Sequence, residues 1–170
     1  LADPLVELYP EGYQEAVRIR DDAVRCGIPV YQDPDALAGY GRVSQADKWL
    51  EAGIPAARVG AFTSRDELRK VAHGMGLPLM LRQDYGHCQT DIRLVMNEPA
   101  MALALGEDGE SEGVVMEFVD CREGYRQHHP GSVYARFYHK KRAHVLGETV
   151  RTNHVYFSEH PIVGLHSSTF

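Results

Sequence analysis

Apolar residues in this chain come only in short runs, and nearly every run is closed by a glycine, a proline or a knot of charge. The clearest are Ile28-Pro29-Val30-Tyr31, Leu77 to Leu81, Ala100 to Leu105 and Gly113 to Val119. None approaches the ~20 residues that a bilayer-spanning helix needs, so no membrane is expected as a partner. Short elements with frequent stops must bury their apolar faces against one another. With 170 residues, 44% of them hydrophobic, the chain has material for one domain or a piece of a larger one.

Periodicity divides the chain into helices and strands. Tyr13, Ala16, Val17, Ala23 and Val24 recur near the 3.6-residue period, which predicts an amphipathic helix over 13–26 stopped by Gly27. Val43, Ala46, Trp49 and Leu50 share one face of a second helix over 43–52, with Trp49 expected in the core. Ala57 to Phe62 reads as a strand. Ser64 and Glu67 fit a capping box that opens a helix running to about His73. Leu77 to Arg82 and Ile92 to Met96 read as strands, followed by a helix capped by Asn97 with Pro99 in its first turn. Gly106 to Gly113 reads as an acidic turn, and Gly113 to Val119 is the strongest strand. Residues 120–131 carry turn formers and charge and are expected to be a loop. Ser132 to Val145 alternates well enough for two strands joined near His139 to Arg142, and the last twenty residues show no clear period. The order predicts an α+β fold with a mainly antiparallel sheet flanked by helices.

Charge and motif content remove several functional classes. A net charge of −6 disfavours a nucleic-acid partner, although the nine histidines are numerous enough to reverse that sign on protonation. Cys26, Cys88 and Cys121 form no C-x-x-C pair, so neither a disulfide framework nor a zinc knuckle is expected, and a reducing cytoplasm is the default location. The chain begins with Leu1, which is read as trimming or as a cut from something longer. It contains no G-x-x-x-x-G-K-[ST] loop, no G-x-G-x-x-G, no H-E-x-x-H and no G-x-S-x-G. His154, His160 and His166 recur every six residues, which suits no usual metal spacing, and they read as loop histidines, as do His128 and His129.

Three segments in order carry a resemblance. They are Arg42-Val-Ser-Gln-Ala-Asp-Lys-Trp-Leu-Glu-Ala-Gly-Ile-Pro55, Gly76-Leu-Pro-Leu-Met-Leu-Arg82 and Gly113-Val-Val-Met-Glu-Phe-Val-Asp120. Together they resemble the ATP-grasp superfamily of ATP-dependent carboxylate ligases over roughly residues 36–146. In that family a basic residue precedes a helix ending in "aGIP", a second ends a later strand, and an "E-F-h" linker joins two lobes around adenine. The stretch from Gly124-Tyr125 through Tyr134-Ala135-Arg136-Phe137-Tyr138 resembles a subgroup of the same family.

The resemblance implies a division into an approach segment (1–40), an N-terminal lobe (41–119) and the start of a C-terminal lobe (120–170), the chain stopping short of a complete fold. It implies ATP as a bound nucleotide, with Arg42 and Arg82 in the places of two phosphate-binding lysines. The backbone of Glu117, Phe118 and Val119 would meet adenine, with Phe118 or Met116 against the base. Glu123 or Asp120 would take the ribose hydroxyls, and Arg136 would steady the transferred phosphoryl group or the acyl phosphate. The reaction implied is ligation of a carboxylate, through an acyl phosphate, to an amine or thiol of a small-molecule or peptide substrate. A homo-oligomer is left open.

The sequence departs from the family at three places. Arginine replaces both lysines, keeping charge but changing a point donor into a planar fork. The loop after Arg82, Gln83 to Asp91, has a single glycine and a carboxylate at Asp84. The family's magnesium ligands, an acidic residue and a later Glu-x-Asn, have no counterpart: Glu148, Asn153 and Glu159 are spaced otherwise, so Mg2+ is implied but no metal ligand is assigned. These departures leave an alternative, a degenerate ATP-grasp-like module that binds without catalysis. An unrelated α+β domain with chance matches is the third reading.

Overall fold

The computed structural model describes residues 10–31, 33–37, 41–84, 92–106, 109 and 111–164. The chain divides into two units, Leu1–Phe118 and Val119–Phe170, so the approach segment falls within the first. Helices and antiparallel sheets make up both, an α+β architecture.

The first unit opens with α1, Pro10–Arg25, which buries none of its residues; Ile19 and Val24 are more than half exposed. Arg20 pairs with Asp33 and Asp35, and the Tyr13 hydroxyl donates to Asp35. These bonds hold the 3-10 turn Pro34–Leu37 against α1, leaving a groove of about 280 Å³ lined by Ala16, Ile19, Ala23 and Val30 among others.

α2, Arg42–Glu51, packs beside β1, Val59–Phe62. Trp49, expected in the core, is instead about half exposed with Leu50, and Ala46 alone is buried on this helix. A four-residue strand gives α2 too little apolar surface to cover more than its smallest inward residue. α3, Arg65–Met75, starts at Ser64, whose hydroxyl accepts from the Glu67 amide; the Glu67 carboxylate in turn accepts from the Thr63 amide at 2.8 Å. The capping box is thus present with its return bond moved one residue upstream.

Three more strands complete the sheet: β2 (Leu79–Arg82), β3 (Arg93–Val95) and β4 (Gly113–Glu117), with α4 (Glu98–Ala104) between the last two. Their order is β1-β4-β2-β3, antiparallel at each step. Residues paired across antiparallel strands point to one face. The register therefore sets Phe62, Leu79, Leu81, Val95 and Val115 together, and Leu68 and Ala72 of α3 with Met101 and Ala104 of α4 close the core over them. The opposite face carries Met80, Arg82, Leu94, Val114 and Met116.

The second unit departs most from expectation. The loop expected over 120–131 contains α5, Cys121–His128. Asp120 caps it by accepting from the Arg122 amide at 3.0 Å, Glu123 sits in the first turn and Arg126 with His128 in the last, each charge matched to the helix dipole. Gly124 and the following His129-Pro130-Gly131 obscure that pattern in the sequence. The two strands expected over 132–145 are corrected as well. Val133–Arg136 is a 3-10 turn, β5 runs Tyr138–Leu146, and β6 runs Thr149–Ser158 into the segment without clear period. The reversal falls at Gly147, with φ of +57°, rather than at His139 to Arg142, whose charges read as a turn but occupy strand positions.

Packed against this ribbon is an aromatic layer. The Tyr125 ring lies 4.9 Å from that of His139, and Tyr134 stacks on Phe157 at 4.8 Å. The Cys121 thiol donates to the His139 carbonyl and accepts from its amide. Burial pushes the His139 imidazole below its ordinary pKa, with Lys141 and His129 acting in the same direction. No described helix is long and apolar enough to cross a membrane.

Candidate functional site

The helix that Arg42 begins and the strand that Arg82 ends are tied together by a third residue, Asp84. α2 starts at Gly41, which has no side chain to cap the exposed amides of the first turn. Asp84 supplies the cap from 42 residues away: its Oδ1 accepts from the Arg42 amide at 2.6 Å and lies 3.4 Å from the Val43 nitrogen. Asp84 stands two residues beyond Arg82, the last residue of β2, and two residues of chain span at most ~7 Å. The start of the Arg42 helix is therefore tied to the end of the Arg82 strand.

Gly41 permits this approach. A Cβ built there would stand 2.2 Å from Asp84 Oδ2, far inside contact distance. The carboxylate that looks out of place in a phosphate loop thus has a structural task at the first turn of α2.

Both guanidinium groups are partly withdrawn from water. Arg42 and Arg82 are intermediate in exposure, and the Nε of each is buried. Burial moves the Arg42 guanidinium below its ordinary pKa, while the nearby Asp84 charge opposes the shift. Arg82 shares its sheet face with Met80, Val114 and Met116, so a cation stands beside an apolar strip on the face opposite the helices α3 and α4.

The adenine cradle expected at Glu117 to Val119 needs correction. The Glu117 amide donates to the Arg58 carbonyl at 2.9 Å, and the Phe118 amide points to the Pro78 carbonyl at 3.4 Å. Neither is available to a base. Val119 is exposed, and Phe118 is intermediate in burial. The Glu117 side chain is also engaged. Its carboxylate accepts from the Arg58 amide and pairs with the guanidinium at 3.2 Å, and the same guanidinium donates to the carbonyls of Gly74 and Met75. The bonds from Arg58 hold Glu117 below the usual carboxylate range. Arg58 thereby fastens the end of β4 to the end of α3, a role no motif announces.

The remaining candidates lie in the second unit. Glu123, in the first turn of α5, pairs with Arg126 at 2.9 Å and accepts from Gln127. Asp120 caps α5 and pairs with Arg122, whose guanidinium lies 3.9 Å above the Tyr138 ring. Arg136 ends the 3-10 turn with its guanidinium 4.7 Å from the centre of the Phe137 ring. The loop residues Tyr85 to Asp91 (His87, Cys88 and Gln89 among them), the His154 side chain and His166 lie outside the described residues.

Among the described residues no group of three or more His, Cys, Asp or Glu side chains is arranged to hold a metal ion. Magnesium therefore has no fitted ligand set among those residues. Comparison with known proteins adds no assignment. No family model matches the chain, and no curated protein does.

Proposed function

We propose that the first unit binds the phosphates of a nucleoside triphosphate, as the nucleotide-binding part of an ATP-grasp-like, ATP-dependent carboxylate–amine ligase. The observation that carries this reading is the Asp84 tie: it joins the first residue of the Arg42 helix to the end of the Arg82 strand. A polyanion is held best by cations approaching from separate, rigid elements, and a helix start and a strand end provide them. The half-buried Met80 and Met116 on the sheet face of Arg82 offer apolar surface for a base.

A second reading is favoured by two specific contacts. The amides of Glu117 and Phe118 are spent inside the sheet, and the Asp84 charge partly offsets those of its neighbours. Both suit a module that binds an anion weakly and transfers nothing.

Titration calorimetry with ATP and with ATP–Mg2+ tests the proposal on the 170-residue chain. Binding is expected at or below millimolar concentration, and R82A and R42A should each weaken it by about tenfold or more with unchanged circular dichroism. A ligase should need the metal, whereas a simple binder should not. Wild-type chain that ignores both forms at millimolar concentration, or R82A that binds as well as wild type, overturns the reading.

A further inference from the structure

The second unit contains an open cleft of about 500 Å³ lined by Arg126, Ser132, Val133, Ala135 and Arg136. Its volume falls in the range of small-molecule sites, roughly 300–1,000 Å³. The polar part of this lining consists of donors. Arg126 and Arg136 bring guanidinium groups, which have no acceptor. The Ser132 oxygen already accepts from the Tyr134 amide at 3.2 Å, which leaves the hydroxyl proton to donate outward. Val133 and Ala135 supply the apolar part.

The frame is held by local bonds. Successive turn bonds run from His129 to Tyr125, Ser132 to His129, Ala135 to Ser132 and Phe137 to Tyr134. The Tyr134 ring is stacked on Phe157, and the Arg136 guanidinium rests over the ring of the buried Phe137. Arg126 is steadied by Glu123 at 2.9 Å.

Charge decides which anion fits. The Glu123 carboxylate balances Arg126, so among the described residues the cleft presents one uncompensated positive charge, that of Arg136. A monoanion matches it, and a dianionic phosphate leaves excess negative charge against Glu123. We propose that this cleft is a carboxylate-binding subsite for a small monocarboxylate with an apolar substituent. The carboxylate takes the fork of Arg136 and the Ser132 hydroxyl, and the substituent lies on Val133 and Ala135. The assignment rests on the second unit alone and stands whether or not the first unit binds a nucleotide.

The test compares N-acetylleucine, N-acetylleucinamide and inorganic phosphate by methyl and amide chemical shifts on the 170-residue chain. N-acetylleucine should bind with a Kd of about 1 mM, moving the Val133 and Ala135 methyl signals, and the amide should bind about tenfold more weakly. R136Q should weaken the carboxylate about tenfold, and R136K should recover part of the loss because the charge returns without the fork. Arg136 is exposed, so both variants are expected to fold, and R126Q, on a different element, gives a second reading of the same cleft. Four results each overturn the proposal. They are equal binding of acid and amide, phosphate binding at least as tight as N-acetylleucine, shifts confined to other residues, and unchanged affinity in R136Q.

Discussion

Asp84 shows how one side chain fixes the placement of others. Its carboxylate satisfies the amide of Arg42 at the start of a helix that has glycine where a capping side chain usually sits. Losing such a cap costs about 1 kcal/mol, and D84A should lower stability by that amount in urea denaturation. G41A reaches the same bond from the other side, since the added methyl would stand where the carboxylate is. The two losses share one mechanism, so the double variant should be little worse than the worse single variant. Additive losses would show that the carboxylate and the glycine act separately.

Among the elements, α5 has a cap whose contribution responds to acid. Asp120 caps it and pairs with Arg122, and the bond from that guanidinium, with the Arg122 amide, keeps the carboxyl below its ordinary range. A depressed folded-state value means stabilisation that is present above the unfolded carboxyl pKa, about 4, and is lost as pH falls through the folded value. D120A should therefore destabilise the wild-type fold by about 1 kcal/mol at pH 7, and the difference should shrink toward zero well below pH 4. A difference independent of pH would mean that the carboxyl charge is idle.

The same helix marks how far the sequence could be read. Ser64 with Glu67 and Asn97 with Pro99 announce their helices because cap and apolar face agree. In α5 the cap is present, but Gly124 and the absence of any buried residue hide the period. Likewise His139 to Arg142 looks like a turn because four basic or titratable residues adjoin, although each continues the ladder of β5. Arg42 and Arg82 were legible as cations at element ends. Asp84 and Arg58 were not, because their partners lie 42 and 59 positions away and no local pattern encodes such contacts.

For the molecule as a whole, the first unit depends on a small core. Leu81 is fully buried at the centre of the sheet among Phe62, Leu68, Leu79 and Val115. L81A should cost about 2–5 kcal/mol, as buried leucines do. Trp49, the only tryptophan and half exposed in this unit, gives a fluorescence signal to follow the loss. A cost below 1 kcal/mol would mean that the sheet face is not the core. The second unit has a different vulnerability. Its described sheet is a ribbon of two strands whose distal part exposes Val145 and Val150. Such a ribbon offers its unpaired backbone to any strand of matching register, a copy of itself included. The consecutive cations Lys140, Lys141 and Arg142 guard against that event, because stacking identical ribbons would bring like charge beside like charge along β5.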